Sequence, residues 1–325
     1  MSTILELAAT NLLSPVILSF VLGLLAALGR SDLTVPEAAA KAMSIYLLFA
    51  IGFKGGVAVA SNGLDATLVG TLIAGLVLSA ILPFMAFAML RVLTTLSRID
   101  AAAVAGHYGS ISIVTFVAAT SVLEGRAISS EGYMVAVAAV MEAPAILSAL
   151  WLVSSGGSGR RMDRELMREI MLNGSIVLLV GAFFIGAITG QDGLDKISSF
   201  IVAPFTGVLC LFLLDMGLVA GRGLREARGV LNFGAIIFGI AMPLVGSVLG
   251  LAAGALVGLS PGGIALLMVL SASASYIAVP AAMRVALPEA NPSVYLTLSL
   301  GVTFPFNLTI GIPLYVAVSQ AVTGG

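Results

Sequence analysis

The chain has 325 residues, of which 59% are hydrophobic and only 10% are charged, and its formal net charge at pH 7 is -1. Soluble domains carry about 25% charged residues, so this composition excludes a soluble enzyme and a disordered chain and indicates an integral protein of the lipid bilayer. The near-zero net charge offers no basic field for nucleic acid. The single cysteine excludes an internal disulfide framework.

Long apolar runs follow one another along the chain without the alternation of barrel strands. Because a helix needs roughly 20 apolar residues to cross the hydrocarbon core, the runs predict an all-α polytopic membrane protein with ten transmembrane helices. The predicted helices are, in chain order, residues 13–29, 37–60, 66–90, 101–122, 133–154, 174–190, 198–219, 230–256, 263–283 and 294–320.

Positive charge is distributed unequally across these predicted spans. Twelve of the 15 Lys and Arg residues fall on one side of the membrane, and the positive-inside rule makes that side the cytoplasm. We therefore expect a multi-pass protein of a bacterial-type inner (plasma) membrane with both termini outside. The most basic loop, residues 156–173, is predicted to be a cytoplasmic linker between residues 1–155 and residues 174–325.

The two parts of the chain match when one is shifted by 161 residues. Infrequent polar, Gly and Pro residues then align in pairs: Lys54 with Asp215, Gly56 with Gly217, Ser110 with Ser271, Ser112 with Ser273, and Pro144 with Pro305. Five helices per part means that the second part enters the membrane from the opposite side. The pattern predicts two inverted five-helix repeats, an arrangement typical of secondary transporters.

Two corresponding segments interrupt the apolar pattern, residues 106–112 in the fourth predicted helix and residues 271–276 in the ninth. Glycine, serine and proline at this depth have two explanations. They let helices approach closely, or they break the helix where bare backbone lines a cavity. Because both segments share the repeat offset, we predict that helices four and nine are broken and form a midplane site.

A half-helix N-terminus carries roughly +0.5 charge and free N–H groups. Two such ends hold a small monoanion without Arg or Lys, and freed carbonyls coordinate a small cation. We expect Ser110, Ser112, Ser271 and Ser273 to contact the anion.

Other polar residues also fall within predicted helices. Glu142 and Asn307 are candidates for a proton or cation site, or else hydrogen-bond partners of the broken backbone. Lys54 and Asp215 are predicted to form an intramembrane ion pair across the pseudo-two-fold axis. The alternative is that each charge is bonded separately, with Lys54 reaching helix carbonyls or extending toward one interface.

Three other function classes compete with a transporter. A zinc protease needs two histidines in a His-Glu-x-x-His motif, and the chain has one histidine. We therefore expect no enzymatic activity, no catalytic residue and no cofactor. A channel can share inverted repeats and broken helices, and saturable, gradient-dependent uptake separates it from a transporter. A helix-rich receptor or structural protein is the third alternative.

Several motifs resemble those of a known family, the sodium-dependent bicarbonate transporters or SbtA-type permeases. Residues 51–58 are similar to its I-G-L-T-G-G-M-A stretch, Gly109-Ser110 to the G-S of its fourth helix, and residues 141–145 to its M-D-I-P-A. The most specific match is Ala290-Asn291-Pro292-Ser293 together with Tyr295, Pro305 and Ile312-Pro313-Leu314.

The resemblance implies a ten-helix, usually trimeric fold that holds bicarbonate and sodium between helices four and nine. Carried over by position, the ligand candidates are Gly109, Ser110, Ser271, Ser273 and Ser275. Tyr276 stands where the family has an acidic residue expected to help hold sodium, so it is a candidate cation or coupling residue.

From these expectations we predict sodium-dependent bicarbonate symport, with sodium as the only bound metal ion. Alternatives are proton-coupled transport of another small anion or carboxylate, and an anion channel. A small cytoplasmic regulatory protein, known in the family, is a further candidate partner.

Overall fold

A computed structural model of the chain describes residues 13–62, 66–154, 168, 172, 174–226, 232–276, 279–280, 283 and 287–324. Within these ranges the chain is helical and has no β-strand. The helices are α1 Pro15–Leu28, α2 Glu37–Asn62, α3 Ala66–Leu93, α4 Arg98–Gly109, α5 Ile113–Gly125, α6 Met134–Val140, α7 Glu142–Ser154, α8 Gly174–Ile201, α9 Phe205–Glu226, α10 Phe233–Val257, α11 Pro261–Ala272 and α12 Pro292–Thr323. Most of the predicted linker 156–173 lies outside the described residues.

Eight spans in the described ranges are long and apolar enough to cross a membrane, which makes the chain a multi-pass membrane protein. Two of the eight are helix pairs, α4 with α5 and α6 with α7. The shorter apolar helices α1 and α11 fall where the first and ninth spans are predicted. The sixth helix was predicted to end near residue 190, and α8 is interrupted there, because Gly190 has a non-helical backbone (φ 60°, ψ -154°) that separates its two helical parts.

Helix α1 packs along α9, far away in the sequence. Gly23 of α1 lies so close to α9 that a Cβ there would meet the Leu214 carbonyl oxygen, and a Cβ on Gly217 of α9 would meet the Phe20 carbonyl oxygen. The two backbones are therefore in direct contact, which requires glycine at these positions.

Helix α2 packs along α8 in the same manner. A Cβ on Gly56 of α2 would meet the Phe183 carbonyl oxygen, and a Cβ on Gly186 of α8 would meet that of Phe53. Gly56 and Gly217 are one of the pairs at the 161-residue offset. The same kind of crossing thus joins α2 to α8 and α9 to α1.

The remaining helices pack around α4, α5 and α11; most residues of α4 and α11 and about half of those of α5 are buried. Helices α3 and α7 pack against α4, and helices α10 and α12 pack against α11 in a corresponding way. Helix α8, by contrast, lies mostly on the periphery. The interrupted segments therefore occupy the centre of the described structure.

Helix α12 contains two π-helical stretches, Thr297–Thr303 and Asn307–Gly311, on either side of Pro305. A π-helical turn widens the helix and commonly marks a functional position. Here the second stretch begins at Asn307, whose side chain reaches α11.

Candidate functional site

The fourth predicted helix is interrupted between α4 and α5. Helix α4 ends at Gly109, and Ser110 follows in extended conformation (φ -86°, ψ 173°). Ser112 is the N-cap of α5, and its Oγ accepts hydrogen bonds from the Thr115 amide at 3.2 Å and the Thr115 hydroxyl at 2.8 Å. The break thus lies at a serine that caps one amide in the first turn of the next helix.

The glycines of the segment do not break the helix. Gly106 and Gly109 are both within α4, where a Cβ on Gly109 would meet the Pro83 ring and one on Gly106 would come within 2.9 Å of the Ala149 Cβ. These glycines allow the close helix packing that was the alternative interpretation of the segment. Gly109, a predicted ligand, therefore lies against α3.

The ninth predicted helix also stops early. Its described first half, α11, ends at Ala272, and Ser273 follows in extended conformation (φ -88°, ψ 164°). Residues 273–275 are not helical, whereas the described residues 279–280 and 283 are again helical. Ser271 is still within α11, so this helix breaks two residues later than its serine-rich segment begins.

The two interrupted segments are hydrogen-bonded to each other. The Ser112 amide donates to Ser273 Oγ at 2.9 Å, and the Ser275 amide donates to the His107 carbonyl oxygen at 2.8 Å. Ser273 Oγ in turn donates to the Leu270 carbonyl oxygen at 2.9 Å. Ser112 and Ser273 are 161 residues apart, so two residues paired by the sequence offset are also in contact.

Polar side chains from α7 and α12 reach the two breaks. The Ser110 hydroxyl donates to Glu142 Oε2 at 2.8 Å. Asn307 Nδ2 donates to the Ala272 carbonyl oxygen at 2.8 Å, and its Oδ1 accepts from the Tyr315 hydroxyl at 2.9 Å. Asn307 therefore satisfies the C-terminus of α11, the role of a hydrogen-bond partner for broken backbone.

Thr303 of α12 is a further polar residue at the site, and no motif in the sequence pointed to it. The Tyr108 hydroxyl and Thr303 Oγ1 are 2.6 Å apart, and Thr303 Oγ1 donates to the Gly239 carbonyl oxygen at 2.7 Å. Thr303 thus ties α4, α10 and α12 together. The signal that could have found it is the repeat offset, since Thr303 follows Glu142 by the same 161 residues.

Three buried polar atoms near the breaks have no hydrogen-bond partner in the described structure: His107 Nε2, Ser271 Oγ and the Tyr276 hydroxyl oxygen. The other ring nitrogen of His107 lies 2.7 Å from the Ala103 carbonyl oxygen, and the ring stacks on Tyr295 with centroids 4.4 Å apart. His107 is therefore held both by the backbone of its own helix and by Tyr295 of α12.

A cavity of about 1150 Å³ lies beside the breaks, between α2, α9 and α12. Its charged lining residues are Glu37, Lys41 and Arg222, all of which are exposed. Tyr276 and Pro280 line the same cavity. Tyr276 thus belongs both to the interrupted segment and to the cavity wall.

The predicted ion pair between Lys54 and Asp215 is not formed. Lys54 Nζ lies 3.0 Å from Glu124 Oε1 and 5.2 Å from the centre of the Phe205 ring, and the Lys54 and Glu124 side chains are 31% and 55% exposed. The reason lies in the helix pairing. Helices α2 and α9 do contact each other, but Lys54 lies on Phe205 at the start of α9, ten residues before Asp215.

Comparison with known proteins adds one match. The model of the family described as the Na⁺-dependent bicarbonate transporter superfamily matches residues 15–320. No curated protein matches the chain.

Proposed function

Because the chain belongs to the Na⁺-dependent bicarbonate transporter superfamily, we propose that it is a secondary active transporter that carries bicarbonate together with sodium. The observation that carries this proposal is the contact between two broken helices, in which the Ser112 amide donates to Ser273 Oγ. Broken helices that meet at the centre of a membrane protein provide exposed backbone groups for an ion. No enzymatic activity forms part of the proposal.

We place the ten proposed spans in two inverted repeats, residues 1–155 and 174–325, joined by a cytoplasmic linker. The matching crossings of α1 with α9 and of α2 with α8 support this arrangement. In both, the first helix of one half packs against the second helix of the other half. The direct bond between Ser112 and Ser273 supports it independently. Both termini would then face the outside of a bacterial-type inner membrane.

The proposed anion site is the N-terminus of α5. The first amides of a helix have no partner within it, and the helix dipole favours a negative charge there. Gly109, Ser110 and Ser275 lie within a few residues of the contact between the breaks, and Ser271 has a buried hydroxyl without a partner in the described residues. Ser112 and Ser273 hold the two breaks together, so we assign them mainly to positioning.

Sodium would be bound as a co-substrate by oxygen atoms. The described residues contain no group of three or more His, Cys, Asp or Glu side chains arranged for a metal ion. Carbonyl and hydroxyl oxygens freed at the breaks suit sodium, and Glu142 lies beside them, 2.8 Å from the Ser110 hydroxyl. Glu142 is therefore the proposed coupling residue.

One observation favours proton coupling as the second candidate. Across the described ranges, the buried Glu142 carboxyl has no Lys or Arg within salt-bridge distance. A carboxyl buried without a cation is more stable when protonated. The same residue can thus carry a proton instead of holding sodium.

Uptake by the reconstituted protein tests these assignments. Proteoliposomes receive labelled bicarbonate at alkaline pH, with either an inward sodium gradient or an equal potassium gradient, and protein-free liposomes are the control. Accumulation that needs sodium and saturates supports symport. Accumulation that ignores sodium but collapses with a protonophore supports the proton-coupled alternative, and non-saturating flux without accumulation indicates a channel.

The protein's partners follow from the same family membership. We propose a homo-oligomer, with the trimer as the state that the resemblance implies, and a small cytoplasmic regulator that binds near residues 156–173. Mass measurement of the detergent-solubilised complex tests the first assignment. A monomeric mass under conditions that retain transport would refute it.

A further inference from the structure

Tyr276 occupies a special position among the buried aromatic residues. It follows the break after α11, lines the cavity that also contacts Lys41 and Arg222, and is 8% exposed. Its ring packs edge-to-face on Phe304 of α12, with centroids 5.2 Å apart. The ring is therefore fixed by packing that does not depend on the hydroxyl.

The Tyr276 hydroxyl oxygen is buried and has no hydrogen-bond partner among the described residues. The side chain that it approaches is Ser112, the N-cap of α5, in a contact too loose to meet hydrogen-bond geometry. Burying a hydroxyl without a partner is unfavourable, and native proteins rarely do so without a reason. The hydroxyl therefore faces the N-terminus of α5 as an available donor.

We infer that the Tyr276 hydroxyl is a direct ligand of the transported monoanion, to which it donates a hydrogen bond at the N-terminus of α5. This inference rests on the proposed transport function and adds a specificity-determining residue to it. A small oxyanion such as bicarbonate fits, because it offers several acceptors to the helix amides and to the phenol together. The ring then separates the anion from the cavity.

The chemistry of a phenol separates this role from that of a cation ligand. A neutral phenol donates to an anion without repelling it, whereas a carboxylate at the same place would repel the anion unless a cation were bound beside it. Tyr276 should therefore affect the affinity for the anion and leave the affinity for sodium nearly unchanged.

The test compares Tyr276→Phe with the wild type. The substitution removes only the hydroxyl and keeps the ring on Phe304, so the melting temperature without substrate should not fall. The matched control is Ser299→Ala, which removes another buried hydroxyl that has no partner in the described part of the chain. Initial rates of labelled bicarbonate uptake give KM at saturating sodium and the half-saturating sodium concentration at saturating bicarbonate.

We expect KM to rise roughly tenfold or more in Tyr276→Phe, the loss typical of a hydrogen bond to a charged group. The half-saturating sodium concentration, and both values for Ser299→Ala, should stay within about twofold of the wild type. An unchanged KM overturns the inference. A changed half-saturating sodium concentration with an unchanged KM also overturns the inference, because that result identifies Tyr276 as a cation ligand.

A binding measurement keeps this inference separate from the proposed function. Thermal stabilisation of the purified protein is measured in sodium bicarbonate, formate and nitrate, with sodium gluconate as the reference. If wild-type vesicles transport no bicarbonate, the transport proposal fails. If one of the three anions stabilises the wild type but not Tyr276→Phe, the result still supports Tyr276 as an anion ligand. If none of them stabilises the wild type, both the transport proposal and the inference about Tyr276 are overturned.

Discussion

Ser273 and Ser275 offer a sharp comparison, because they are two residues apart, equally buried and of the same type. Ser273 Oγ accepts from the Ser112 amide and donates to the Leu270 carbonyl oxygen, both at 2.9 Å. Among the described residues, the Ser275 side chain accepts only from the Val279 amide, at 3.4 Å. The bond from Ser275 to His107 uses the backbone and survives any substitution of the side chain.

The expected losses differ because Ser273→Ala strands a buried backbone amide. A donor left without a partner costs about 1–3 kcal/mol. Side-chain hydrogen bonds between membrane helices average about 0.6 kcal/mol in double-mutant cycles, and a 3.4 Å contact should be weaker still. We therefore expect Ser273→Ala to lower the free energy of unfolding by about 1–3 kcal/mol and Ser275→Ala by less than about 0.6 kcal/mol.

Unfolding by SDS in mixed micelles, followed by far-ultraviolet circular dichroism, measures both losses in one system. The two variants are compared with the wild type at the same detergent concentration. Equal losses would refute the hydrogen-bond assignment, since they would mean that Ser273 Oγ does not satisfy the Ser112 amide. A larger loss in Ser275→Ala would refute the geometry of the contact between the breaks.

Three further predictions test the packing. Gly56→Ala should destabilise the protein by about 1–3 kcal/mol, because its Cβ would meet the Phe183 carbonyl oxygen. The control Gly181→Ala has open space around the new Cβ and should be neutral or stabilising. Thermal unfolding measures both. A double-mutant cycle of Lys54→Met with Glu124→Gln should give a coupling free energy below about 1 kcal/mol in stability. The stability losses of Lys54→Met and Asp215→Asn should add within about 0.5 kcal/mol. A larger coupling between Lys54 and Asp215 would contradict the structure. Asn307→Leu should lower the free energy of unfolding in SDS by about 2–4 kcal/mol, because it leaves the Ala272 carbonyl and the Tyr315 hydroxyl without their partner. Adding Tyr315→Phe to Asn307→Leu should recover part of that loss. No recovery would argue against the bond between Asn307 and Tyr315.

The sequence predicted the helical membrane fold and the location of both breaks, because apolar length and rare polar segments are local signals. It gave the wrong cause for the first break. Gly106 and Gly109 were expected to interrupt the helix, but they pack within α4 against Ala149 and Pro83. A glycine that breaks a helix and one that allows close packing look alike in sequence, since the difference depends on what lies opposite.

The same limit explains the contrast between two pairs at one sequence offset. Ser112 and Ser273 are in contact, whereas Lys54 and Asp215 are not. An offset indicates which positions are equivalent, but contact also requires that both lie near the axis relating the halves. That distance depends on how α2 lies along α9, which puts Lys54 beside Phe205 instead of Asp215, and no local pattern encodes it.

The crossing of α1 with α9 also has a consequence for biosynthesis. Gly23 must meet a backbone that follows it by roughly 190 residues. At a synthesis rate of about 5–20 residues per second, α1 remains in the membrane for about 10–40 s before its partner leaves the ribosome. The glycine face of α1 is exposed to lipid during that time, so a slow step late in translation should leave the N-terminal helix open to proteases and to chaperones of membrane insertion.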